Sequence, residues 1–264
     1  MKHNHSLTIT GSVALTLAAL TLFNFIPTQT KAQTTAAQTA QPAATPQRYT
    51  VRITHVKLGM NAEFEALIKN EMLPAFKKGG LKQSSTWRQT NLGEGSEYIT
   101  VRPLDGLKQF DETGPLVKAL GEEGASALTR KWSLMVNDTR QFIVQAKPEL
   151  SILPKTNDAP KLAVVYRIRI APFRTSEYEE VFKNFALPQF RKTEQKAFLM
   201  SRVGFGGDSN EYFGMFLVDS FTDMGKWSGS FANAGSGAGA KLAGIVVQQE
   251  SAVYRYVPEL SIRP

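Results

Sequence analysis

Two kinds of hydrophobic periodicity alternate along the chain from about residue 48 onward. Residues 49–56 and 164–170 are rich in β-branched and aromatic side chains, which is typical of strands. Each is followed by apolar residues at spacings of three and four, at 64–73 and 178–185, as on one face of a helix. Two strands, a second helix and a last strand complete each half. The pattern predicts the ferredoxin-like order β-α-β-β-α-β twice, an α+β fold.

The inner strands of each half form a predicted hairpin. Residues 86–89 pair with 97–104, and residues 197–203 pair with 211–218, because each pair is separated by a glycine-containing turn. Residues 141–146 and 252–257 are the predicted last strands. Pro74 and Pro188 are expected to kink or end the first helix of each half, since proline lacks the amide that a helix needs. The glycine-rich stretch 235–239 is expected to be a flexible connection.

Short segments recur in the same order in both halves. Residues 148–152 (PELSI) return 110 residues later as 258–262, and residues 73–78 (LPAFKK) return 114 residues later as 187–192 (LPQFRK). Glu97 and Tyr98 have the counterparts Glu211 and Tyr212, again 114 residues later. We therefore predict a tandem duplication: repeat 1 at residues 48–154, a linker at 155–161 and repeat 2 at 162–264.

The first 32 residues have the pattern of a secretory signal peptide. Lys2 precedes an apolar run at 13–26, which is shorter than the roughly 20 residues of a membrane span, and Thr30-Lys31-Ala32 resembles a cleavage site. The alternative is an uncleaved anchor. Residues 33–47 contain only Gln, Thr, Ala and Pro, which predicts a disordered tether. A periplasmic or secreted protein is expected, without a stable membrane span after cleavage.

Composition excludes several kinds of chemistry. The chain has no cysteine and three histidines, of which His3 and His5 fall in the predicted signal peptide, so the usual protein-bound zinc site is not expected and no metal is predicted. His55 remains as a weak catalytic candidate. The net charge of +8 falls to +6 when Lys2 and Lys31 leave (8 minus 2), which is too modest to predict a nucleic-acid partner.

The first half resembles a known superfamily. Val51-Arg52-Ile53, Glu63-Phe64, Pro74, Trp87 and Glu97-Tyr98-Ile99 together resemble the dimeric α+β barrel superfamily, and within it the NIPSNAP and antibiotic-biosynthesis-monooxygenase-like group. The resemblance implies two ferredoxin-like units packed sheet against sheet into a barrel, here within one chain. It also implies a monomeric pseudo-dimer, for which further oligomers stay open. Trp87 has Ser201 as its counterpart, so any role of this tryptophan is confined to one repeat.

Strand alternation provides the candidate ligand site. If the apolar Val51 and Ile53 face their helices, then Arg52 points into the barrel, and the same counting brings further arginines and tyrosines inward. Such a pocket suits a carboxylate, phenolate or phosphate, because the planar guanidinium binds these anions with two hydrogen bonds. The alternative is that the arginines pair with carboxylates and only stabilise the sheets. The candidate ligand-binding residues are Arg52, Arg88, Tyr98, Arg102, Arg167, Arg169, Arg202, Tyr212 and Arg255.

Three functions remain open at this point. The first is binding of a small anionic or aromatic molecule between the sheets, with no cofactor and no defined chemistry. The second is a cofactor-independent monooxygenase-like enzyme that acts on a phenolic or aromatic anion. The third is a haem-handling protein, which would need an axial ligand from His55, Tyr98 or Tyr212. Whether the protein is an enzyme is left undecided by the sequence.

Overall fold

The computed structural model describes residues 47–92, 95–155, 160–193 and 195–263, with the side chains of 226–236 left out of the description. The predicted signal peptide (1–32) and all but the last residue of the predicted tether lie outside the described residues, and so does most of the linker. Within the part described, no helix combines the length and apolarity that crossing a membrane requires.

Both halves contain the predicted succession of elements. In repeat 1 these are β1 (Arg48–Val56), α1 (Asn61–Leu67), α2 (Leu73–Lys78), β2 (Ser85–Gln89), β3 (Glu97–Leu104), α3 (Pro115–Leu134) and β4 (Val136–Ala146). In repeat 2 they are β5 (Leu162–Ile170), α4 (Thr175–Val181), α5 (Leu187–Phe190), β6 (Ala197–Phe205), β7 (Glu211–Val218), α6 (Phe221–Leu242) and β8 (Val246–Tyr256).

The eight strands close into one antiparallel barrel in the order β1-β3-β2-β8-β5-β7-β6-β4. Each repeat contributes four neighbouring strands, and the repeats join where β2 pairs with β8 and β4 pairs with β6. The register is duplicated as well: Val51 lies opposite Val101, and Val165 lies opposite Met215, 114 residues later in both strands. The predicted barrel of two ferredoxin-like repeats is confirmed.

The barrel has two different ends. At one end, here called the proximal end, β1 and β5 begin and β4 finishes, because Arg48 lies opposite Gln145 in the antiparallel ladder. At the other end, the distal end, β1 and β5 finish and β3 and β7 begin, with His55 opposite Glu97. Since the repeats are related by a consistent register, equivalent loops of both repeats lie at the same end.

Three apolar cores result from this arrangement. One lies inside the barrel and draws residues from both repeats, including Val51, Ile53, Phe142 and Phe213. The other two lie outside the barrel, each between the outer face of one four-stranded sheet and its own helices. The sheets are therefore apolar on both faces, which decides where the polar side chains can be placed.

The prolines of the first helices mark an irregular turn and not an end. A π-helical turn, Ile68–Met72 in repeat 1 and Phe182–Ala186 in repeat 2, lies between the two helical segments and directly precedes Leu73-Pro74 or Leu187-Pro188. The wider turn accommodates a residue that has no amide hydrogen. The helix thus continues past each proline, and its second segment supplies one wall of the helix–sheet space. The predicted flexible connection at 235–239 is wrong, because these residues belong to α6.

Candidate functional site

The predicted orientation of most candidate residues is wrong. Val51 and Ile53 lie inside the barrel, so Arg52 projects from the outer face of the sheet toward the helices. The physical reason is that a closed barrel has an apolar interior of its own, which takes the β-branched residues. The same inversion applies to Arg88, Tyr98, Arg102, Arg202, Tyr212 and Arg255. The predicted inward orientation of Arg167 is correct.

The outward-facing residues of repeat 1 line a pocket between the sheet and its helices. This repeat 1 pocket has a volume of about 350 Å³, within the range of small-molecule sites, and a further space of about 360 Å³ adjoins it past the same two arginines. Its floor is polar, with Thr54, Thr86 and Thr100 from three strands. Its walls are apolar and aromatic: Phe64, Ile68, Met72, Leu73, Phe76, Phe110 and Trp132.

Arg52 and Arg102 are the two cations of the repeat 1 pocket. Arg52 donates to the side-chain oxygen of Gln141 from Nε at 2.9 Å and from Nη2 at 2.6 Å, and its guanidinium lies 5.8 Å from the centre of the Trp132 ring. Arg102 lies 4.3 Å over the ring of Phe76. Its Nε is buried without a hydrogen-bond partner, and no carboxylate of the described chain forms an ion pair with it.

Burial acts on both guanidinium groups. It lowers the pKa of Arg102 to about 10, to which the positive charge of Arg52 also contributes, and it lowers the pKa of Arg52. Both side chains stay protonated at neutral pH, because an arginine guanidinium keeps its proton in proteins and the lowered pKa of Arg102 is still about 10. The pocket therefore holds two positive charges that form no ion pair with a described carboxylate. Glu112 also lines the pocket, and its carboxylate is paired with Lys118 at 3.2 Å. A buried charge is normally paired, so this arrangement can accept an anion.

The corresponding pocket of repeat 2 is apolar and smaller, about 160 Å³. Arg52 has Tyr166 as its counterpart and Arg102 has Phe216, in strands that share one register. Phe216 packs against Phe198 with ring centres 4.3 Å apart, where repeat 1 has Ser84. The duplicated pocket is thus filled with aromatic rings in repeat 2 and kept open and cationic in repeat 1.

Tyr98 and Tyr212 are equivalent and make the same contact. Each hydroxyl donates to a glutamate of the first helix at 2.7 Å, Tyr98 to Glu65 and Tyr212 to Glu179. Burial, followed by this hydrogen bond, raises the pKa of both phenols, so both remain protonated. In each repeat this hydrogen bond connects the first helix to the sheet. Because it occurs in both repeats, it belongs to the shared fold. Tyr98 nevertheless borders the repeat 1 pocket.

Arg167 belongs to an ionic cluster at the distal end of the barrel. Glu97, which is 3% exposed, accepts from Arg167 and from the hydroxyl of Tyr254, and His55 Nε2 lies 2.9 Å from its second oxygen. His55 Nδ1 lies 2.8 Å from Asp138. Burial opposes charge on the His55 ring, but the hydrogen bond to Asp138 and the charge of Glu97 outweigh it and raise the pKa. These groups satisfy one another, which gives the weak catalytic candidate His55 a structural role.

The other predicted ligand residues are on the surface or paired. Arg88 bonds to Glu65 at 3.0 Å, and Arg169 lies 3.3 Å from Asp208 at the distal rim. Arg202 donates to the carbonyl of Ser209 at 2.7 Å, and Arg255 is exposed. The structure does not bring this group together with Arg52 and Arg102.

Sequence reasoning missed Gln141, Phe76 and Trp132. They come from the last strand, the helix after the π-helical turn and the second helix of repeat 1. Comparison of the two repeats contains a signal for two of them, since Trp132 and Gln141 are matched 110 residues later by Leu242 and Ser251, whereas Phe76 is matched by Phe190. The polar or aromatic pocket residue is replaced in repeat 2 by a smaller or aliphatic one.

The residues of the repeat 1 pocket do not fit a haem group. No histidine or cysteine occurs among its lining residues, and Tyr98 is a protonated phenol that is already bonded to Glu65. A haem ligand would have to be an imidazole, a thiolate, a thioether or a phenolate. Met72 supplies a thioether on the wall, but no histidine lies among the described lining residues to serve as the second axial ligand. His55 lies at the barrel's distal end, so haem handling has no support from this pocket.

Comparisons with known proteins establish the fold. No protein-family model matches the sequence, and no curated protein matches it either. Among solved structures, an anthrone oxidase-like protein superposes with a TM-score of 0.59 at 9% identity, covering 80% of this chain and 92% of the other. A monooxygenase candidate from Lactobacillus acidophilus gives a TM-score of 0.53 at 7% identity, covering 80% and 94%. A chlorite dismutase variant from Candidatus Nitrospira defluvii gives 0.51 at 8% identity, covering 81% and 92%. The chain has the fold of the dimeric α+β barrel superfamily.

Proposed function

We propose that the protein binds a small aromatic carboxylate in the repeat 1 pocket. The observation that carries this proposal is Arg102, whose Nε is buried without a hydrogen-bond partner and which forms no ion pair with a described carboxylate, beside the second cation Arg52. A bound carboxylate would supply the missing negative charge and accept the hydrogen bonds that Arg102 does not make.

The aromatic part of the ligand follows from the walls. Phe76 and Trp132 already stack on the two guanidinium groups, and Phe64 and Phe110 add further ring surface around the same space. A planar ring is the apolar shape that packs best between such side chains. The volume of about 350 Å³ fits one or two fused rings with a carboxylate.

Repeat 2 supports the same proposal by contrast. Its pocket has neither cation, and aromatic rings stand at both equivalent positions, Tyr166 for Arg52 and Phe216 for Arg102. If the arginines only stabilised the fold, a duplicated fold would have no reason to keep them together in one copy and replace both in the other.

Calorimetric titration of the mature protein with 2-naphthoate and with the neutral 2-naphthamide tests the proposal. The carboxylate is expected to bind at least about tenfold more tightly, because a charge-assisted hydrogen bond contributes about 1.5–3 kcal/mol. Arg102→Phe, which installs the residue of repeat 2, should abolish the preference. Arg130→Met, on the exposed face of α3, is the matched control and should keep it.

Equal affinity for acid and amide, or an unchanged preference in Arg102→Phe, would reject the anion site. The oxygenase alternative rests on the names of proteins with this fold, such as the monooxygenase candidate and the anthrone oxidase-like protein. The same samples, incubated with a phenolic acid, test this alternative. Consumption of oxygen together with a new product would show that the protein is an enzyme as well as a binding protein.

The proposal also places this binding outside the cytoplasm, in a monomeric chain. The support is the signal-like pattern of residues 1–32 and the closure of the barrel within one chain. N-terminal sequencing of exported protein should begin at Gln33, and a start at Met1 would count against cleavage.

A further inference from the structure

The interior of the barrel contains a second space, separate from the repeat 1 pocket. Its volume is about 440 Å³, and the inward-facing residues of strands from both repeats line it, among them Tyr49, Val51, Trp87, Ser201, Phe213 and Met215. None of the described residues around it is charged. We propose that this barrel cavity is a binding site for a neutral, apolar small molecule. It goes beyond the anion site and does not depend on it.

The barrel cavity is closed at the distal end by paired polar groups. Glu97 is held there by Arg167 and Tyr254, and on the opposite strands Arg140 binds Glu211 through two nitrogens. Because these four charged groups pair with one another, they leave no unpaired charge for a ligand at the distal end of the cavity. The inward-facing Val165 lies between the cavity and the distal residues Glu97 and Arg167, since it borders both spaces.

The proximal end is where a ligand would enter. Gln47, Pro148, Leu153 and Pro160 border the cavity there, at the ends of β1, β4 and β5, and Leu153 is 63% exposed. These residues are apolar or uncharged, so a ligand can pass without desolvating an ion. Tyr49 is partly buried nearby, and this burial raises the pKa of its phenol, which keeps it neutral. Among the described residues, the proximal end of the cavity is therefore apolar or uncharged, whereas charged groups lie at the distal end.

The duplication explains why the space exists. Trp87 and Ser201 occupy equivalent positions, since Trp87 lies opposite Ile99 and Ser201 lies opposite Phe213 in the matching ladders. The indole of Trp87 packs against Tyr256 with ring centres 5.1 Å apart and borders the cavity. Ser201 borders the same cavity with a much smaller side chain. The serine therefore leaves open part of the volume that a second tryptophan would take.

The lining determines the chemical class of the ligand. An ion would lose its hydration without gaining a partner, whereas a neutral hydrocarbon or aromatic molecule would exchange water for apolar side chains. Even an engineered apolar cavity of about 150 Å³ stays dry and binds benzene. The larger barrel cavity therefore suits a neutral molecule of about two rings, with any polar end at the proximal opening.

Fluorescence titration of the mature chain with the neutral probe N-phenyl-1-naphthylamine tests the site. The wild-type protein should bind one probe per chain. Ser201→Trp, which fills the cavity with the residue of repeat 1, should weaken binding at least about tenfold. Ser126→Trp, on the exposed face of α3, is the matched control and should bind as the wild type does.

Ser201→Leu adds less volume and should give a smaller loss, which keeps the test informative if Ser201→Trp does not fold. Arg102→Phe separates the two sites: it should abolish the naphthoate preference and leave probe binding unchanged. No binding by the wild type, or full affinity in both Ser201 variants, would overturn the proposal. Loss of probe binding in Arg102→Phe alone would place the probe in the repeat 1 pocket and overturn it as well.

Discussion

Arg102 combines a buried Nε that has no hydrogen-bond partner with the lack of an ion pair to any described carboxylate. Its aromatic neighbour Phe76 contributes a cation–π contact, which offsets part of the lost hydration. The close positive charge of Arg52 works in the opposite direction. In the absence of a ligand, this residue is therefore expected to cost the fold stability in exchange for binding.

Replacement of Arg102 by methionine should separate the two effects. The stem of methionine fills similar apolar volume without the charge, so the free energy of unfolding should stay the same or rise by up to about 2 kcal/mol, while naphthoate affinity falls. Urea denaturation measures the first quantity and calorimetry the second, with Arg130→Met expected to change neither. A loss of stability greater than about 2 kcal/mol would show that Arg102 is a structural residue.

At the scale of the element, the strands explain what the sequence could and could not predict. Alternation correctly separated Arg52 from its neighbours Val51 and Ile53, which lie on the other face of β1. It could not decide which face lies inside, because both faces are covered, one by the opposite strands and one by helices. Apolar content alone cannot separate two apolar environments, and for β1 the inward face was assigned wrongly.

The distal cluster gives the contrasting case, in which an arginine holds elements together. Glu97 on β3 belongs to repeat 1, whereas Arg167 on β5 and Tyr254 on β8 belong to repeat 2. The cluster therefore links the repeats across the barrel. Its polar groups are paired, unlike the Nε of Arg102, so we expect the cluster to stabilise the fold.

Removal of the positive partner should be costly here. Arg167→Met leaves the carboxylate of Glu97 buried with a weaker set of partners, so the free energy of unfolding should fall by about 3–5 kcal/mol, and by the lower figure if solvent reaches the partly exposed Arg167. The double variant with Glu97→Gln should recover part of the loss, because the stranded charge is gone. Urea denaturation of both variants measures the free energy of unfolding. If Arg167→Met is as stable as the wild type, the stabilising role of Arg167 is contradicted.

At the scale of the whole molecule, duplication supplied a closed barrel and then allowed its halves to diverge. The spacings of 110 and 114 residues were sufficient to predict the duplication, and the need of each four-stranded sheet for a covering partner predicted sheet-to-sheet packing. The closed barrel followed from the resemblance to the superfamily. Residue by residue comparison of the halves also contained the asymmetry: Arg52 against Tyr166, Arg102 against Phe216 and Trp87 against Ser201. What it lacked was the knowledge that each pair faces the helices or the barrel, which only the closed structure provides.

The most direct test of the central claim is a crystal structure of the mature protein grown with 2-naphthoate. We expect one bound molecule in repeat 1, with its carboxylate within hydrogen-bond distance of the Arg102 guanidinium and its rings between Phe76 and Trp132. The aromatic pocket of repeat 2 should contain none. A naphthoate whose carboxylate lies away from both Arg52 and Arg102, whether in the barrel cavity or in repeat 2, would contradict the account.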